Sequence, residues 1–130
     1  MMTYAPFQSR LTRVPRAYDA APAADVALTF ADLAPEVRAL LSGTAGCSPY
    51  LWGLMTREAV WLREALAGAP EAAIDGVLQP LAELPLDSLG AGLRVAKRRV
   101  ALVTALADLG GVWALEQVTG ALTALSDRAV

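Results

Sequence analysis

Leu93-Arg94-Val95-Ala96-Lys97-Arg98-Arg99-Val100-Ala101-Leu102-Val103-Thr104-Ala105-Leu106-Ala107-Asp108-Leu109-Gly110-Gly111-Val112-Trp113 is the stretch on which the fold turns. A basic cluster leads into an apolar helical run, and a Gly-Gly-Val-Trp corner ends it. At about 100° per residue, Arg94, Lys97, Arg98, Ala101, Thr104, Ala105 and Asp108 share a narrow polar-to-small strip. After Val100 the remaining sides are apolar, so this helix, spanning about 87–109, is expected at the centre of a bundle. Arg99 lies about 140° from Arg94 and points toward apolar neighbours. A buried guanidinium does not persist unpaired, so Arg99 is expected to meet a carboxylate or reach across an interface, with Glu116 a plausible intramolecular partner.

The composition agrees with a helical reading. Hydrophobic residues make up 55% of the 130 residues while aromatics are 6%. The excess is alanine and leucine, both strong helix formers, and isoleucine occurs once, at Ile74. The fold class is therefore all-α: a compact bundle of four to six helices preceded by an irregular Pro/Ala-rich arm.

Outward from the central helix, the same periodicity recurs. Leu28, Leu33, Val37 and Leu40/Leu41 line one side of an earlier segment that Pro35 divides, with Pro35 opening the second piece. Ser42-Gly43-Thr44-Ala45-Gly46 reads as its end, Gly43 or Gly46 supplying a left-handed cap. Ser48-Pro49 reads as an N-cap and first helical residue. Leu51, Leu54/Met55, Glu58, Leu62 and Ala65/Leu66 follow as one seam, with Thr56 a second candidate cap, and Gly68 stops it. Pro70-Glu71 opens the next helix, with Ile74, Val77/Leu78, Leu81 and Leu84 dry, Asp75, Gln79 and Glu83 wet, and Pro85 at its end. A last helix from about Ala114 places Leu115, Val118, Leu122, Leu125 and Ala129 on one seam.

Residues 1–24 read as a flexible or extended arm, broken by Pro6, Pro15 and Pro22. Arg10, Arg13 and Arg16 recur every third residue there. They suit either a basic arm that contacts a partner or a solvated tail or extended strap, and the second reading is preferred because such a leader offers little surface to bury. The arm is accordingly expected to be loosely held.

Several function classes are poorly supported. The net charge is −2, with no global field to recruit nucleic acid or an anionic membrane. No apolar run reaches the roughly 20 residues of a membrane span, and no secretory signal is visible at Met1-Met2-Thr3-Tyr4-Ala5-Pro6-Phe7. The chain has no histidine, which removes imidazole catalysis, and zinc sites are excluded with it. Cys47 is the only cysteine; it fits a reducing cytoplasm and is expected to be buried and inert. Two magnesium-binding carboxylates spaced as D-x-D are missing, because no two acidic residues stand two apart. Gly90-Ala91-Gly92 is only a fragment of a phosphate loop. Glu71 and Asp75, one turn apart, read as a solvated face before a cation site. A phosphate-binding role for the basic cluster is weakened by its mid-helix position. The expected catalytic, cofactor-binding and metal residues are none.

Three stretches resemble a known family. Ser9-Arg10-Leu11-Thr12-Arg13 looks like the leader of its alphaproteobacterial members, and Cys47-Ser48-Pro49-Tyr50-Leu51 looks like a helix entry common in it. Arg94-Val95-Ala96-Lys97-Arg98-Arg99 through Gly110-Gly111-Val112-Trp113 is the most specific match. Together they resemble the N-terminal region of the bifunctional glutamine synthetase adenylyltransferase/adenylyl-removing enzyme. The resemblance implies that residues 25–130 are a helical subdomain preceding a nucleotidyltransferase domain beyond Val130, the one that removes AMP by phosphorolysis. Magnesium and ATP would belong to that larger enzyme, and the partners would be the following domain, glutamine synthetase and the PII protein, in the cytoplasm. No nucleic acid or membrane partner is implied. The alternative is a free-standing helical adaptor whose likeness reflects Ala/Leu composition; a Gly-Ser turn and D-x-D encoded beyond Val130 would decide between them. Self-association through the last two helices is also expected, to cover apolar surface there.

Overall fold

Pro35, Pro49 and Pro70 each occupy the first turn of a helix, where a missing N–H costs nothing and the fixed φ is already helical. These residues set the rhythm of the chain. A computed structural model describes residues 5–113 and Gly120. The described residues form α1 (Phe7–Arg10), α2 (Ala20–Thr29), α3 (Pro35–Cys47), α4 (Pro49–Arg57), α5 (Ala59–Ala67), α6 (Pro70–Leu78), a 3-10 turn (Gln79–Glu83) and α7 (Leu86–Leu109). No strand occurs among them, and no helix is long and apolar enough to cross a membrane. The fold is all-α.

Local chemistry accounts for most boundaries. The Asp19 carboxylate accepts the Ala21 N–H at 3.1 Å and caps α2. Ser48 does the same for α4, accepting from Leu51 N–H at 3.2 Å. Thr56 is not a cap, since its hydroxyl donates to the Trp52 carbonyl. The seam from Leu51 to Leu66 instead breaks at Glu58, whose φ of −108° and ψ of 26° separate α4 from α5. Gly111 ends α7 with φ 67°. The Val112 N–H reaches Ala107 O at 2.8 Å and the Gly111 N–H reaches Asp108 O at 3.1 Å, the paired bonds of a Schellman cap.

The core is one cluster around α7. Val100, Leu102, Val103, Leu106 and Ala107 are fully buried, on more than one side of the helix, as expected of a central helix. Leu40 and Leu41 of α3, Met55 of α4, Leu62 of α5 and Ile74 of α6 close around it. Thr104 is buried with them and not on a wet strip.

Four expectations are corrected. Leu28 is 80% exposed, and α2 buries Val26 and Phe30 instead. Gly43 and Gly46 do not end α3, which continues to Cys47. They are the points where the arm crosses: a Cβ on Gly43 would overlap the Pro15 carbonyl, and one on Gly46 would lie 2.5 Å from Ala17 Cβ. Cys47 is exposed, its thiol donating to Arg16 O. Finally, residues 5–19 are not loosely held: Phe7 is fully buried, and α2 begins within the expected arm, at Ala20. The last-helix seam at Leu115, Val118, Leu122, Leu125 and Ala129, and the pairing of Arg99 with Glu116, lie outside the described residues.

Candidate functional site

Arg99 does find a carboxylate, and it is Glu58. Arg99 Nε donates to Glu58 Oε1 at 2.7 Å, and Arg98 Nε lies 3.7 Å from Glu58 Oε2. The Glu58 side chain is only 6% exposed while the two arginines keep about a third of their surfaces. The break between α4 and α5 turns this carboxylate inward toward α7. Arg99 also stacks over the Trp61 ring, 5.1 Å from its centroid, a cation–π contact that shields one face of the guanidinium. Two cations on one buried acid tie α4, α5 and α7 together.

A second cluster fastens the arm. Arg10 donates two hydrogen bonds to Glu71, Nη1 to Oε1 at 2.6 Å and Nη2 to Oε2 at 2.8 Å. The Trp113 indole N–H donates to the same Oε2 at 2.8 Å. Burial of Glu71 would raise its pKa, but the Arg10 and backbone hydrogen bonds, the indole N–H and the charge of Arg10 outweigh it and leave the pKa lowered from 4.5. Glu71 is therefore a latch and not part of a solvated face, and Asp75 stays exposed.

Between these clusters the arm seals the end of α7. The backbone N–H groups of Thr12 and Arg13 donate to Gly110 O at 2.9 and 3.2 Å. The Arg13 guanidinium donates to Asp108 O at 2.7 Å and Leu109 O at 3.3 Å. Cation and donors thus sit where a helix leaves its carbonyls unsatisfied and its dipole negative. Of the two readings for the arginine-spaced arm, the structure shows the extended strap. Its sequence signal, arginine at every third residue, was visible; its targets were not.

The remaining sequence candidates stay apart. Arg94 and Lys97 are exposed on α7. Gly90 and Gly92 lie inside the same helix, with a Cβ on Gly92 meeting the Leu84 side chain, so they form no phosphate loop. Among the described residues no group of three His, Cys, Asp or Glu side chains could hold a metal ion. What the geometry does is brace a helical unit by buried and half-buried ion pairs.

Several relatives under one name match most of this chain. The chain is 37% identical over 112 residues to the bifunctional glutamine synthetase adenylyltransferase/adenylyl-removing enzyme of Rhodopseudomonas palustris strain TIE-1, a match covering 82% of this chain and 11% of that protein. It is 40% identical over 91 residues to the enzyme of that name from Caulobacter vibrioides, covering 67% and 9%. With the Xanthobacter autotrophicus enzyme it shares 36% over 101 residues, covering 75% and 10%. The chain is thus related to these alphaproteobacterial enzymes over most of its own length and spans about a tenth of theirs. No known family profile matches it. No solved structure matches it significantly.

Proposed function

We propose that this chain is a non-catalytic helical portion of an enzyme that adenylylates and deadenylylates glutamine synthetase, serving as a scaffold or docking surface beside the adenylyl-removing domain. The observation that supports this reading most directly is the identity of 37–40% with enzymes of that name over 67–82% of the chain. The chemistry of the described residues is in keeping with it. The two carboxylates that are drawn furthest into the packing, Glu58 and Glu71, are both engaged by arginines. Magnesium and ATP would be held elsewhere in such an enzyme, and glutamine synthetase and PII would be met by the whole assembly in the cytoplasm. An Ala/Leu likeness alone is a poor explanation for matches of this length.

Adenylylated glutamine synthetase incubated with this chain, magnesium and inorganic phosphate tests the non-catalytic part. No release of ADP above the chain-free control is expected. Release that scales with the concentration of the chain would overturn it.

A further inference from the structure

Glu71, in the first turn of α6, is bound from both ends of the described chain. Arg10 donates to both of its oxygens, and the Trp113 indole N–H donates to Oε2. The Arg10 and Glu71 side chains are mostly covered, and Trp113 is buried. Water is therefore a poor substitute for any donor lost from this acid. The same two segments meet again along the backbone. Thr12 and Arg13 donate their N–H groups to Gly110 O, and the Thr12 hydroxyl donates to Gly111 O at 3.0 Å. The fit leaves no room for side chains at the corner: a Cβ on Gly110 would lie 2.7 Å from Leu11 Cδ2, and one on Gly111 would overlap Thr12 Oγ1. Val112 and Trp113 both return their N–H groups to Ala107 O, so the corner does not shift at Gly110 without drawing the indole from Glu71. At its other end the strap is pinned by Phe7, fully buried, its N–H on Gly68 O at 3.1 Å.

We propose that Glu71 joins the strap, residues 5–13, and the exit corner, residues 110–113, into one clasp that opens as a unit. Lifting the strap frees the corner from which the chain continues at residue 114, and freeing the corner lifts the strap. The acid itself carries the coupling. Without the indole, Glu71 and Arg10 become a wetter and weaker bridge. Without Arg10, a half-dry carboxylate has lost its counter-charge and turns to water, which leaves the indole N–H without an acceptor. Segments 99 positions apart at Thr12 and Gly111 thus bias one equilibrium, and linkage makes the effect equal in both directions. Two independent sets of contacts would open separately instead. The coupling is internal to the chain and independent of the proposed function.

Limited trypsin digestion of the full chain tests it, with cleavage after Arg13 reporting the clasp and cleavage after Arg63 in α5 reporting global opening. Trp113→Phe keeps a ring and removes the donor. It is expected to raise the ratio of Arg13 to Arg63 cleavage about five-fold or more, and Arg10→Gln should do the same. Glu71→Leu, which removes the shared acceptor, should raise the ratio by itself. In that background Trp113→Phe should change it by no more than about two-fold. In the opposite direction, Phe7→Leu should speed hydrogen exchange of the Trp113 indole N–H about five-fold or more relative to the backbone N–H of Val103. A Trp113→Phe ratio equal to the parent's would overturn the proposal. So would an undiminished rise from Trp113→Phe in the Glu71→Leu background, or indole exchange that Phe7→Leu leaves unchanged relative to Val103.

Discussion

Glu58 and Glu71 show how individual acids hold this molecule together, and their consequences differ. Glu58 is nearly dry while its two arginines are partly wet, so the pair lies between the limits of a surface bridge and a fully buried one. Arg99→Ala should cost about 1–2 kcal/mol by chemical denaturation, combining a charge-assisted hydrogen bond with the Trp61 contact. Arg98→Ala should cost less, since its contact is 3.7 Å against 2.7 Å. Glu71 makes a statement about pH. Its folded pKa is depressed below 4.5, so its contribution is complete above the unfolded value and is lost as pH falls through the folded one. Urea midpoints measured from pH 7 down to pH 3 should therefore fall less steeply in Glu71→Gln than in the parent. Parallel profiles would show that the latch contributes nothing. That Arg99 needs an acid was legible from helical phase. Which acid it takes was not, because Glu58 lies 41 positions away and had passed for a member of an apolar seam.

At the scale of elements, the strap is what local pattern could not give. Gly43 and Gly46 look like helix caps because glycine near a small-residue cluster usually is one. Here a distant segment lies across them, and no local rule detects that. The prolines at 35, 49 and 70 and the Gly110-Gly111 corner were legible because their cause is local. Leu28 misled because α2 is short and apolar at adjacent positions, so its phase is decided by what Val26 and Phe30 meet. The strap makes two predictions. Gly43→Val should cost about 1–3 kcal/mol by forcing Pro15 away, and should expose Arg13 and Arg16 to trypsin sooner than in the parent. Phe7→Ala should cost about 3–5 kcal/mol, the price of emptying a fully buried aromatic site. A parent arm cut at Arg10 and Arg13 before any site in α3–α7 would contradict the docked strap.

For the whole molecule, the all-α class followed from composition and period, and the kinship from three short stretches. The central proposal is that this chain corresponds to the related segment of the larger enzymes and serves there as a scaffold. A chimaera tests it most directly: the Rhodopseudomonas palustris enzyme with its matching segment replaced by these residues, assayed for both addition and removal of AMP on glutamine synthetase. The account predicts that both activities persist, and that replacing the segment with Glu58→Leu and Arg99→Leu together lowers the thermal midpoint of the chimaera. A correctly folded chimaera that has lost both activities would contradict it.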